Sequence, residues 1–137
     1  MNLPKIGETI TTSRAKEFCE YFGLNYLVKR IDANPASYKN WKFDGISVLC
    51  DKFAAAITGV DKDALTLQCA LPHDLCYAYG EPGNKMERER VDIKFKSDLI
   101  TKAKMSEFWA AIFYHAVRIG GVEELGLSFT WAFALKS

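Results

Sequence analysis

Five residues, Gly80-Glu81-Pro82-Gly83-Asn84, constrain this chain more than any others, because no helix or strand runs through two glycines and a proline so closely spaced. Whatever forms on either side must form separately. Upstream, Asp61 to Tyr79 reads as a helix capped by Asp61 or Asp63. Pro72 lies inside it, removing one backbone donor and crowding the carbonyl of Gln68, so the helix is expected to kink or restart there. Downstream, Val91, Phe95 and Leu99 recur at helical spacing and predict a helix over 85–103 with a strongly charged outer side.

The remaining segments follow from the same periodicities. Ser13 to Phe22 reads as a helix, with Ser13 as cap, Gly23 as stop, and Ala15, Phe18, Cys19 and Phe22 on one face. Leu24 to Ile31 is compatible with helix or strand, and Asp32 to Asn40, which holds Asn34-Pro35, reads as a loop. Phe43-Asp44-Gly45-Ile46-Ser47-Val48 is a turn-like entry to an apolar segment ending near Ile57. Ser106 is placed to cap an apolar helix through Ile119, stopped by Gly120-Gly121, with so little polar face that it is expected to be central. Leu125, Leu127, Phe129, Trp131, Phe133 and Leu135 alternate with small or polar residues, which is strand periodicity. The expected fold is mainly α (α+β): three to five helices around a central apolar helix, with a minor β element that includes a C-terminal strand. At 137 residues, a single domain over 1–137 is the natural count.

Composition narrows the classes of function. A chain that is 49% hydrophobic can bury a core without disulfides. Cysteines 19, 50, 69 and 76 are therefore expected as reduced thiols, and on one helix Cys69 and Cys76 would be about 10 Å apart, too far to bridge. No apolar run approaches the roughly 20 residues of a membrane-spanning helix, and Met1 to Lys5 lacks the apolar stretch of a signal peptide. The expected location is the cytoplasm. Eighteen basic residues against 17 acidic ones leave a net charge of +1, which gives no electrostatic case for nucleic acid.

One window carries candidate chemistry: Cys69-Ala-Leu-Pro-His73-Asp74-Leu-Cys76-Tyr77. On a helix, His73 lies one turn from Cys69 and one turn from Cys76 and Tyr77, and Asp74 is rotated from it by about 100°. An imidazole acts as a base near neutral pH, and an adjacent carboxylate can hold a cation. A second carboxylate could fix the imidazole tautomer, and Asp92 is the leading candidate. The plainer alternatives are a buried histidine satisfied by Asp92 or a carbonyl, and a solvent-facing Asp74. Cys69 and Cys76 are better core thiols than zinc ligands, since no fourth ligand accompanies them with His73. His115 reads as a core or edge histidine, and Arg118 as the partner of an acidic residue of the site or of a plain salt bridge.

The Cys-x-x-x-His-Asp-x-Cys-Tyr spacing resembles the active-site helix of secretory phospholipases A2, and Val91-Asp92-x-x-Phe95 is similar to the second helix of the viral members of that superfamily. The resemblance implies that His73 activates water, Asp92 orients it, Tyr77 supports it by hydrogen bonding, and Asp74 is a ligand to Ca2+, a Lewis acid at an ester carbonyl. That family also uses a glycine-rich calcium loop. The nearest upstream segment, Asp44-Gly45-Ile46-Ser47, lacks its Gly-x-Gly form, and Ala70 replaces one of the paired cysteines.

A second resemblance covers about positions 43 to 121. Phe43 to Val48, His73-Asp74-x-x-Tyr77, Arg88 to Phe95, and Phe113-Tyr114-x-Ala116-Val117-Arg118-x-Gly120 look like a phage and bacterial domain of unknown function. This resemblance implies that Asp44, Ser47, His73, Asp74 and Asp92 converge on one site. The expected function is a hydrolase-like domain acting on an ester, a lipid ester included. The competing expectation is a non-catalytic binding or accessory protein, phage-encoded for example, that keeps the fold and engages a protein partner. A third option is a metal-binding domain with no hydrolytic role.

Overall fold

Helix α1 (Thr12–Tyr21) shows how local chemistry sets the ends of the elements. The Thr11 hydroxyl accepts from the Arg14 N–H at 3.2 Å, so the cap falls two residues before Ser13. Gly23 adopts φ +71°, and the N–H groups of Leu24 and Gly23 donate back to the carbonyls of Cys19 (2.8 Å) and Glu20 (3.2 Å). Those two bonds form a Schellman stop, which needs the positive φ that glycine supplies without strain. The computed structural model describes residues 1–45 and 51–120, and the expected C-terminal strand over 125–135 lies outside them.

Helix α2 (Asn25–Ala33) settles the ambiguous segment as helix, with Leu27 and Ile31 buried one turn apart. It runs beyond Ile31 into the stretch expected to be loop, and a short 3-10 turn at Pro35–Ser37 follows. Strands β1 (Thr9–Ile10) and β2 (Trp41–Lys42) pair antiparallel, Thr9 opposite Lys42 and Ile10 opposite Trp41. After α3 (Asp51–Thr58), residues Ala64–Ala70 form a π-helical segment that leads directly into α4 (Leu71–Ala78). The Leu71 N–H reaches back to the carbonyl of Thr66, and Pro72 then stands in the first turn of α4, where its missing N–H is tolerated. The expected restart at Pro72 is thus a change of helical register.

Helix α5 (Lys85–Thr101) begins at Asn84, whose side chain accepts from the Glu87 N–H at 2.9 Å. Helix α6 (Glu107–Gly120) begins after Ser106, whose hydroxyl accepts from the Trp109 N–H at 3.3 Å. The fold is mainly helical with a small antiparallel sheet, as expected, with six α-helices among the described residues. Helix α6 packs on α5 through Ala110, Phe113 and Val117 but leaves Phe108, Ile112 and Ile119 exposed. The most enclosed helix is α4, with every residue but Asp74 buried.

Two apolar clusters hold these elements. The first joins Ile10, Phe18, Leu27, Trp41 and Phe43 to Leu71, Leu75 and Tyr79. The second joins Leu65 and Cys69 to Phe95, Leu99, Ala110 and Phe113. Each fully buried leucine among them contributes about 1.5–3 kcal/mol relative to exposure. Helix α5 passes from one cluster to the other, Val91 in the first and Phe95 in the second, and Asp92 lies between them. Cys19, Cys69 and Cys76 are free thiols, and burial pushes the first two up to about 12 and Cys76 to about 11. Among the described residues, no helix is long and apolar enough to cross a membrane.

Candidate functional site

The seam between the two clusters is polar. Asp92 has no exposed surface, and both of its carboxylate oxygens are engaged. Oδ1 accepts from His73 Nε2 at 2.8 Å and from the Tyr77 hydroxyl at 2.7 Å. Oδ2 accepts from Arg118 Nη1 at 2.8 Å and has Arg88 Nε at 4.0 Å. Helical spacing explains the convergence. His73 and Tyr77 are one turn apart on α4 and present the same face to α5, while Arg118 reaches in from the last turn of α6.

Arg88 ties the third helix to this face. Its Nε donates to the Tyr77 hydroxyl at 3.2 Å, and its Nη2 donates to the carbonyls of Arg118 and of Val117 (3.3 Å). Those carbonyls belong to the C-terminal turn of α6, where a cation satisfies oxygens left over by the helix and its negative dipole end. The spacing Arg88-x-x-x-Asp92 within one helix was the available signal for this residue, but a charge run of this kind also describes a solvated face.

An ionised carboxylate only accepts hydrogen bonds, so His73 Nε2 carries a proton and Nδ1 is the lone-pair nitrogen of the neutral ring. Nδ1 lies 3.8 Å from the Asp74 carboxylate, which favours the protonated ring. Burial pulls the His73 pKa down, but hydrogen bonding to Asp74 and to Asp92, with the charges of both carboxylates, outweighs it, and the net shift is upward from 6.5. Burial alone would raise Asp92. The hydrogen bonds from His73, Tyr77 and Arg118 and the charge of His73 reverse this and hold it below the usual carboxylate range. Burial, with the Asp92 charge beside it, pushes the Tyr77 phenol upward, so it stays a donor. The rings of Tyr77 and Phe95 flank the imidazole at centroid distances of 4.4 and 4.6 Å.

Of the residues singled out in the sequence, His73, Asp74, Tyr77, Asp92 and Arg118 come together here. Asp44 is exposed on the bend after β2, with no hydrogen bond or ion pair to this cluster, and Ser47 lies outside the described residues. Among the described residues, no group of three His, Cys, Asp or Glu side chains is arranged to hold a metal ion. Comparison with protein families, curated proteins and solved structures found no match to this chain.

Proposed function

We propose that this chain is a small hydrolase-like domain in which His73 activates water against an ester, lipid esters included. The observation that carries this reading is the shared Asp92 Oδ1, which fixes His73 Nε2 and Tyr77 together at 2.8 and 2.7 Å. That contact sets the tautomer and makes Nδ1 the basic nitrogen. In the proposed step, Nδ1 takes a proton from water as the water oxygen attacks the ester carbonyl, and returns it to the departing alcohol. Asp92 orients the ring and stabilises its charged form, Tyr77 and Arg118 hold Asp92, and Asp74 raises the basicity of His73. A cytoplasmic location belongs to the same reading.

Calcium enters through Asp74 and Asp44. The described residues do not fit a calcium cage, so no step is assigned to the ion. Titration calorimetry with Ca2+ on the wild type and Asp74→Asn tests the point: heat that is lost in the variant supports a cation at Asp74, and silence at millimolar calcium removes it. The hydrolytic reading is tested separately, with short-chain nitrophenyl esters and phospholipid vesicles, on the wild type and His73→Gln. Turnover reduced by about 10²–10⁴-fold in the variant supports a general base. Turnover equal in the two proteins sinks it.

One observation favours a second reading. The His73 side chain is only 3% exposed, and the recess formed by Pro72, His73, Cys76, Phe95 and Asp98 has no room for a water-sized sphere. A non-catalytic accessory or binding protein would use the same cluster to lock α4, α5 and α6. Absence of turnover on every ester, combined with a large loss of stability in His73→Gln, selects it.

A further inference from the structure

A second cavity opens between α2, α4 and α5, lined in part by Leu24, Tyr26, Cys76 and Val91. Its volume is about 430 Å³, within the roughly 300–1,000 Å³ typical of cavities that enclose small ligands. Its apolar wall is built from Leu24, Val91, the thiol of Cys76 and the ring of Tyr26. Its polar wall carries three cations, Arg30, Arg90 and Lys94, against the single carboxylate of Glu87.

These charges are not equivalent. Arg30 grips Glu87 through two parallel bonds of 2.9 and 3.2 Å and also donates to the Tyr79 carbonyl at 2.8 Å, so its donors are largely spent. Arg90 and Lys94 stand one turn apart on α5, on the face turned to the cavity. Lys94 shares its charge with Asp98 at 2.7 Å, whereas Arg90 has no hydrogen bond or ion pair with the described residues. The Tyr26 hydroxyl donates to the Cys76 sulfur at 3.4 Å, a weak acceptor that a ligand oxygen would replace at little cost.

We propose that this cavity binds a small amphiphilic anion, its charged oxygens at Arg90 and Lys94 and its apolar body along Leu24, Val91 and Tyr26. Fixed positive charge on one wall and hydrocarbon on the other select against both a neutral amphiphile and a bare anion. Cys76, Val91 and Lys94 line the recess at His73 as well, so the bound anion lies within about one helical turn of the imidazole. The inference stands apart from the hydrolytic reading, because it concerns binding and not turnover.

The test titrates octanoate, 1-octanol and acetate into the folded protein at constant ionic strength, followed by amide chemical shifts. Octanoate is expected to bind at least tenfold more tightly than either control, with shifts centred on residues 24–27, 76 and 90–94. Arg90→Glu combined with Lys94→Glu is expected to weaken octanoate at least tenfold, and Arg90→Gln alone several-fold. Both substitutions are on exposed side chains, and thermal melts establish that the variants fold. Octanol or acetate binding as well as octanoate overturns the proposal. So does octanoate affinity unchanged by the double reversal, or no binding of octanoate at millimolar concentration.

Discussion

Of the three carboxylates that helix α5 buries, two stand five residues apart and each meets an arginine from another helix. Glu87 is 4% exposed and is gripped by Arg30 of α2 through two parallel bonds. Asp92 is 0% exposed and accepts from Arg118 of α6. The difference lies in the other partners. Around Glu87 the further partner is the backbone N–H of Glu81 at 3.4 Å, a group that exchanges no protons near neutral pH. Around Asp92 they are an imidazole and a phenol, and the imidazole does exchange them. A buried acid-arginine pair is therefore a staple in one place and part of a proton-handling cluster in the other. Burial does not distinguish them; the chemistry of the third partner does.

Removing the carboxylates is the strongest way to break that comparison. Asp92→Ala strands His73, Tyr77 and Arg118 around a void and is expected to cost about 3–5 kcal/mol in urea denaturation. Glu87→Ala should cost less, about 1–2 kcal/mol, because Arg30, as exposed as Arg118, can recover water and no buried imidazole or phenol is stranded with it. Equal losses would mean that both sites are staples and that the imidazole adds nothing special. A third variant, Arg88→Met, keeps the length of the side chain but removes the bonds that Arg88 donates to the Tyr77 hydroxyl and to the last carbonyls of α6. Its expected cost is about 1–3 kcal/mol, seen in the same melts.

The sequence made the helices of this fold legible wherever apolar residues recur at a turn's spacing, as with Val91, Phe95 and Leu99. It made the site legible because His73 and Tyr77 share a helical face and Asp92 follows a clear break. Other features left little trace. The strands Thr9–Ile10 and Trp41–Lys42 are too short for alternation to register. The π-helical segment before Pro72 has no compositional signature, since it changes hydrogen-bond register and not residue type. Arg88 looks like one charge among many on α5, and only its contacts to Tyr77 and the α6 carbonyls separate it from its neighbours. The exposure of Phe108, Ile112 and Ile119 was hidden for the opposite reason: an apolar helix reads as central whether or not every face is covered.

The smallest expected effect sharpens the comparison most. His73 has a folded pKa raised above 6.5, chiefly because two carboxylates overcome the penalty of burial. A raised base binds its proton more tightly in the folded chain than in the unfolded one. Its contribution to stability is therefore complete below about 6.5 and is lost as pH rises through the folded value. Asp92 behaves oppositely: with a lowered pKa, it stabilises above the unfolded value of 3.8 and loses that contribution only as acid approaches its folded value. Above about 6.5 Asp92 has ceased to titrate, so there the His73 slope is separate from it. Urea midpoints from about pH 6 to about pH 9 should fall in the wild type and in Glu87→Gln alike. They should flatten in Asp92→Asn, which removes one of the charges that raise His73, and flatten partially in Asp74→Asn, which removes the charge at 3.8 Å. Ring-nitrogen spectra of the imidazole in a His115→Gln background, where His73 is the sole histidine, report the same titration directly. A His73 titration that moves in Glu87→Gln but not in Asp92→Asn would reverse the assignment of staple and proton-handling cluster.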